Sequence, residues 1–81
     1  MEITHDRQAD MMYIKFSNKS FHKNQIVIEN KLILDLSEDG SIIGIEIFAP
    51  SLQMDDPDNV IYTPLSDYGN RSQRQGNEDA S

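Results

Sequence analysis

Residues 32–47, LILDLSEDGSIIGIEI, decide the fold of this 81-residue chain. On both sides of a central polar stretch, apolar residues recur at every second position, which is the period of a half-buried β-strand. Asp39 and Gly40 lie within that stretch. Asp-Gly is a strong hairpin marker, because glycine adopts a positive φ at no steric cost. The sequence therefore predicts a β-hairpin whose turn contains Asp39 and Gly40.

The same period of two continues toward the N-terminus. It predicts strands at about residues 2–5, 10–16 and 25–29, with a polar loop over residues 17–24. The predicted fold class is mainly β, or a small α+β fold, built on an antiparallel β-meander of four to five strands. One face of this sheet is expected to be apolar and to carry Ile3, Met12, Ile14, Phe16, Ile26, Ile28, Leu32, Leu34, Leu36, Ile43, Ile45 and Ile47.

The strand pattern stops at Pro50, which has no N–H to donate to a sheet. Residues 50–56 are expected to form a short helical turn, because proline is favoured early in a helix. Residues 60–63 are predicted to add a short strand or to dock on the sheet. Residues 1–65 thus form a single β-rich domain, while the polar composition of residues 66–81 predicts a disordered tail.

The predicted apolar face needs a second layer, because a sheet buries its hydrophobic side against another element. A helix of one or two turns spans only about 10 Å and would hide part of such a sheet. We therefore expect a homodimer or a complex with another protein. The candidate covers within this chain are Leu52, Met54, Val60, Ile61, Tyr62 and Leu65.

Composition excludes several classes of protein. The chain has no cysteine, which rules out a disulfide scaffold and a thiolate metal site. Its formal net charge of −7 opposes binding to nucleic acid or to an anionic membrane, since both require cationic side chains. No apolar run approaches the roughly 20 residues that cross a bilayer. We expect a cytoplasmic protein without a cofactor.

Two stretches carry a resemblance to a known family. HDRQADMMYI at residues 5–14 is similar to an opening of the form YDpeADaLYI, and residues 32–47 are similar to a gvilDlDedGrivGIEIl hairpin. Together they resemble the small prokaryotic family called domain of unknown function 2283, over about residues 1–52. The sequence departs from this pattern at His5, Met11 and Ser37. The resemblance implies a compact β-rich domain and no activity, and it admits an antitoxin-like role.

The hairpin also matches the spacing of an EF-hand calcium loop, at Asp35, Ser37, Asp39 and Glu46. An EF-hand loop lies between two helices, whereas both flanks here alternate like strands. We therefore interpret the spacing as coincidental and predict no metal site.

Three further residues near the N-terminus, His5, Asp6 and Asp10, could also suggest a metal site. Around a tight turn, such side chains more often cap nearby backbone N–H groups. No catalytic or cofactor-binding residue is predicted.

The leading hypothesis is a non-enzymatic protein-interaction domain. Its expected partner is a second copy or a small basic protein, attracted by the acidic surface in an antitoxin-like or regulatory role. The alternative is a small metal-binding protein or hydrolase. That alternative would use Asp35 and Glu46, which the hairpin could place opposite each other, or the turn from His5 to Asp10.

Overall fold

The structure is a computed structural model that describes residues 1–66 of the chain. They contain one five-stranded antiparallel sheet and one short helix. This architecture confirms the predicted fold class. The elements are β1 Glu2–Asp6, β2 Met11–Lys15, β3 Phe21–Ile28, β4 Leu32–Ser37, β5 Ile42–Phe48 and α1 Pro50–Gln53.

The strands do not lie side by side in chain order, as a simple meander would place them. Their order is β1-β2-β5-β4-β3, so β5 is inserted between β2 and β4. This is a Greek-key arrangement. Hairpins link β3, β4 and β5, which lie next to one another. A longer connection joins β2 to β3, and β2 lies beside β5. The most apolar strand, β5, thereby pairs on both sides, and the polar β3 takes an edge.

The connection between β2 and β3 makes this order possible. It crosses the end of the β4–β5 hairpin, a distance of about 14 Å for three strand spacings. The backbone N–H groups of Phe16 and Ser17 both donate to the carbonyl oxygen of Ile43, at 2.7 and 3.2 Å. The Nζ of Lys19 then donates to Asp39 Oδ2 at 2.8 Å and to Ser41 Oγ at 2.9 Å. The crossover is therefore held against the turn that it passes.

The turn between β4 and β5 contains Asp39 and Gly40. Gly40 has a φ of 86°, a conformation that favours glycine, and its N–H donates to the Ser37 carbonyl at 3.0 Å. The N–H of Ser37 donates to the Ser41 carbonyl at 2.9 Å and closes the ladder. The Asp39 carboxylate accepts the Ser41 N–H at 2.9 Å, so the aspartate stabilises the turn directly.

The third strand differs from its prediction in two ways. β3 begins at Phe21, inside the predicted loop over residues 17–24, because this polar segment pairs with β4 as an edge strand. The register also shifts between Ile26 and Ile28, which pair with Ile33 and Leu32 respectively. Paired residues share a face, and the neighbours Ile33 and Leu32 point to opposite faces. Ile26 and Ile28 therefore lie on opposite faces, whereas the sequence predicted that they share one.

The segment after β5 is shorter in regular structure than predicted. α1 is one turn, and residues 60–63 form no strand in the described chain. Asp10, in the β1–β2 turn, caps α1: its carboxylate accepts the N–H and Oγ–H of Ser51 at 3.2 and 2.5 Å. The predicted tail lies outside the described residues, apart from Ser66. No helix among the described residues is long and apolar enough to span a membrane.

Candidate functional site

One face of the sheet is mainly apolar, with Lys23 and Gln25 at its β3 edge. Rows of paired residues cross the strands, such as Ile14, Ile45 and Leu34. Alternation along each strand places the predicted set on this side, with the exception of Ile26. At a register shift Leu36 pairs with Ile42, so Ile43 is an extra residue of β5 at that point. We call this surface the apolar face; it consists of Ile3, Met12, Ile14, Phe16, Ile28, Leu32, Leu34, Leu36, Ile43, Ile45 and Ile47.

The apolar face is largely uncovered by the described residues of its own chain. Within residues 1–66, the buried hydrophobic side chains of the sheet are Met12 and Ile43, at 4% and 6% exposure. Phe16 and Ile28 keep 44% and 51% of their surface exposed. The remaining members are half-buried. A single sheet layer cannot exclude water from such a surface, so the face is an incomplete hydrophobic core.

Within residues 1–66, the segment after α1 comes closest to covering this face. Asp58 accepts a hydrogen bond from His5 Nδ1 at 2.8 Å and from Arg7 Nε at 3.2 Å. His5 pairs with Met12 and therefore lies on the side of the apolar face. The contacts with His5 and Arg7 hold the pKa of the Asp58 carboxyl below its usual range. They fix the segment beside β1, at the margin of the apolar face.

Residues 60–65, which follow this attachment, leave the sheet without covering it. We call residues 60–65 the arm. Its apolar members stay 59–78% exposed: Val60, Ile61, Tyr62 and Leu65. Leu52, on α1, is 85% exposed. Of the predicted covers, only Met54 is half-buried. The prediction that residues 60–63 form a strand or dock on the sheet is therefore wrong for this chain taken alone.

The opposite face, which we call the polar face, carries Ile26 and Ile33 toward β3, and polar side chains that bond to one another across its centre. Tyr13 Oη donates to Asp35 Oδ2 at 2.9 Å, and Asn24 Nδ2 donates to Asp35 Oδ1 at 2.8 Å. These three residues, which we call the polar cluster, link β2, β4 and β3 across β5. Both oxygens of the Asp35 carboxylate thus have a donor from the same chain.

The polar cluster depends on Gly44, over which the Tyr13 ring lies. A Cβ at this glycine would overlap Tyr13 Oη and would lie 2.8 Å from the Ile14 carbonyl oxygen. A glycine inside a strand often marks such a close approach. The absence of a side chain at Gly44 lets the phenol reach across β5 to Asp35.

The phenol of Tyr13 is a poor candidate for acid–base chemistry. Burial, the hydrogen bond to Asp35, and the charges of Asp35 and Glu46 raise its pKa to about 12. A general base works best with a pKa near the operating pH. The Tyr13 hydroxyl therefore stays protonated and serves as a hydrogen-bond donor.

The residues with EF-hand spacing take different places. Asp35 pairs with Gly44, and Glu46 pairs with Ile33 and Tyr13, so the two carboxylates are diagonal neighbours and not opposite as predicted. Asp39 points to Lys19 and Ser41, whose hydrogen bonds, with that from Ser37, hold its pKa well below the usual range. Strands flank the turn on both sides.

Two surface depressions of the described chain lie elsewhere. One is beside Met1 and Phe16, and the other is beside Lys19 and Ser37. Neither is lined by Asp35 or Glu46. Among residues 1–66, no group of three or more His, Cys, Asp or Glu side chains is arranged to hold a metal ion.

The three residues near the first turn also have separate roles. His5 contacts Asp58, Asp6 Oδ1 accepts the Ala9 N–H at 2.9 Å, and Asp10 caps α1. Asp6 performs ordinary turn chemistry, whereas His5 and Asp10 attach the segment after β5 to the sheet. The structure does not bring the three together.

Sequence reasoning missed the polar cluster and the partners of two carboxylates. Tyr13, Asn24, Lys19 and Asp58 carried no local signal, because their contacts join residues 11 to 53 positions apart. Gly44 did carry a signal, as a glycine within a predicted strand. It would have indicated a close approach over β5, but not by which residue.

Comparison with known proteins gives one match. A family model described as a protein of unknown function (DUF2283) matches residues 2–51, which span all five strands. No curated protein and no solved structure matches the chain.

Proposed function

The chain belongs to the DUF2283 family, whose description assigns no function, and we propose that it is a non-enzymatic protein-interaction domain that forms a homodimer through its apolar face. One observation carries this proposal. The apolar face spans five strands, yet only Met12 and Ile43 of its members are buried within the described chain. A second layer from another molecule would complete this core.

A second copy is the partner that best fits the chemistry of this face. The register places Lys23 and Gln25 of β3 beside its apolar members but no carboxylate of the strands, whereas the chain as a whole carries a net charge of −7. Two acidic chains repel each other, but this repulsion is weakest when they meet through a surface without carboxylates. A two-fold axis would place the same surface on both subunits, as in most homodimers.

The dimer would leave the polar face and both sheet edges outward. β3 is an edge strand with every residue exposed, and Asp35 and Glu46 lie on the polar face. Sequestration of a small basic protein, in an antitoxin-like or regulatory role, is the second candidate. The observation that favours it is the net charge of −7, which would steer a cationic partner.

Sedimentation velocity over a range from nanomolar to high micromolar concentration tests the homodimer. We expect a reversible monomer–dimer equilibrium, and a midpoint of thermal unfolding that rises with protein concentration, because association stabilises the folded state by mass action. A cooperatively folded monomer at every concentration would contradict the proposal. Stoichiometric copurification of a basic protein with such a monomer would instead support the second candidate.

A further inference from the structure

We propose, building on the homodimer, that the arm of each copy lies across the apolar face of the other copy, so that the two subunits exchange residues 60–65. The arm has the composition of a buried segment. It contains no charged residue, and its Val60, Ile61, Tyr62 and Leu65 are 59–78% exposed in the single chain. Contiguous exposed apolar surface of this kind marks a contact with another protein.

The residues just before the arm are held at a fixed position on the sheet. Asp58 is held by His5 and Arg7 at the β1 margin of the apolar face. The N–H groups of Asp58 and Asn59 donate to Asp56, at 3.3 Å to its Oδ1 and 3.1 Å to its carbonyl, and form a tight turn. The arm thus leaves from a set position, which lowers the entropy lost when it binds.

The reach of the arm matches the width of the uncovered surface. Six extended residues span about 20 Å, and four strand spacings span about 19 Å. An extended arm is therefore long enough to cross the apolar face of a five-stranded sheet from one edge strand to the other. Within its own chain it does not do so, since Ile61 and Tyr62 are 78% and 77% exposed.

The area of the sheet also favours a contribution from the arm. Seven of the eleven members of the apolar face are already half-buried within their own chain, so face-to-face packing alone removes only the remaining part of their surface from water. A stable interface buries about 800 Å² of accessible surface on each partner. An apolar arm laid on each partner adds contact on both subunits beyond what the two faces supply.

Dimer affinity tests the exchange. The triple variant Ile61→Ser/Tyr62→Ser/Leu65→Ser should raise the dimer Kd at least about 100-fold, because three apolar side chains lose their burial. Leu52→Ser is the matched control: it removes an equally exposed apolar side chain outside the arm and should change the Kd less than about 3-fold. A triple variant with the wild-type Kd would overturn the exchange and leave the homodimer standing. A wild type that never dimerises would instead refute the homodimer itself.

Cross-linking distinguishes an arm that binds the partner's apolar face from an arm that binds the apolar face of its own chain. The chain has no cysteine, so Leu34→Cys/Ile61→Cys introduces the only two thiols. Leu34 lies in the middle of the apolar face and Ile61 in the arm. On mild oxidation we expect disulfide-linked dimers joining residue 34 to residue 61, identified by peptide mass. A monomer closed by an internal disulfide would overturn the exchange, as would a yield no higher than that of Leu34→Cys/Leu52→Cys.

Discussion

The two faces of the same sheet differ in how far one chain completes them. On the polar face, Asp35 receives donors from Tyr13 and Asn24, and the Tyr13 ring fills the space over Gly44. On the apolar face, only Met12 and Ile43 are buried by the part of the chain that the structure describes. The polar cluster is complete among residues 1–66, while the apolar face is not covered by these residues.

This difference follows from how each kind of surface is satisfied. A polar group needs one or two well-placed partners, which a neighbouring strand supplies. An apolar surface needs an entire layer of atoms to exclude water, and that requires more chain than residues 49–66 provide. A small domain can therefore be locally complete in its hydrogen bonds and still depend on a partner for its core.

The largest expected effect comes from placing a charge on each face in turn. Leu34 and Ile33 are neighbours on β4 with side chains on opposite faces. Leu34→Lys should destabilise the protein by about 3 kcal/mol and abolish the dimer, because it would bury an unpaired charge in the shared core. Urea unfolding and sedimentation at equal concentration measure both effects.

Ile33→Lys provides the matched control on the polar face. Its ammonium group would emerge beside Glu46, the residue paired with Ile33 on β5. We expect a loss of about 1 kcal/mol or less, the usual range for partly exposed sites, with the dimer retained. Equal losses in the two variants would mean that both faces are equally wet, and the contrast between them would disappear.

An intermediate effect is expected at the glycine beneath the polar cluster. Gly44→Ala would bring a methyl group against Tyr13 and the Ile14 carbonyl oxygen, both closer than 3.0 Å. We expect a destabilisation of about 2 kcal/mol, as for overpacking of a well-packed site, measured by urea unfolding. The dimer Kd should change little, since the strain lies on the other face.

The Tyr13→Ala background shows how much of this strain comes from the ring. The two atoms nearest to the position that the new methyl group would take belong to Tyr13. The cost of Gly44→Ala should therefore fall in that background, giving a coupling energy between the two sites. An unchanged cost would assign the strain to the backbone carbonyl of Ile14 alone.

The hairpin and the apolar face could be predicted from sequence because their signals are local. Asp39-Gly40 specifies its turn within a few residues, and the alternation of Leu34 and Leu36 specifies a face. The central position of β5 could not be predicted, since it depends on pairing Ile14 with Ile45, 31 residues away. That pairing in turn depends on a crossover that reaches Asp39.

The site shows the same division between local and distant signals. The face of Ile26 was predicted wrongly because one register shift in β3 reverses the alternation. The polar cluster could not be predicted, because its contacts depend on which strands lie beside β5. A pattern read along the chain gives the period of a strand, whereas the bulges and the strand order that rearrange it are tertiary properties.

The smallest expected effect is a pH dependence confined to the polar face. Burial and the hydrogen bond to Asp35 raise the pKa of Tyr13 to about 12 from its ordinary value of 10.0. Between these values the folded chain holds a proton that the unfolded chain releases. The contribution of this hydroxyl to stability is therefore fully present below pH 10 and is lost as the pH rises through 12.

Tyr13→Phe removes that contribution at its source. Near pH 8 the variant should be less stable than the wild type by about 1 kcal/mol, the net value of one hydrogen bond. The difference should shrink as the pH rises through about 12, because the wild type loses the proton on which the hydrogen bond depends. Urea unfolding across this range, with phenolate absorbance to follow ionisation, measures both curves. Asp35→Asn should lower the Tyr13 pKa toward its ordinary value; if it does not, the carboxylate has no part in holding the phenol, and the polar face is less complete than its hydrogen bonds indicate.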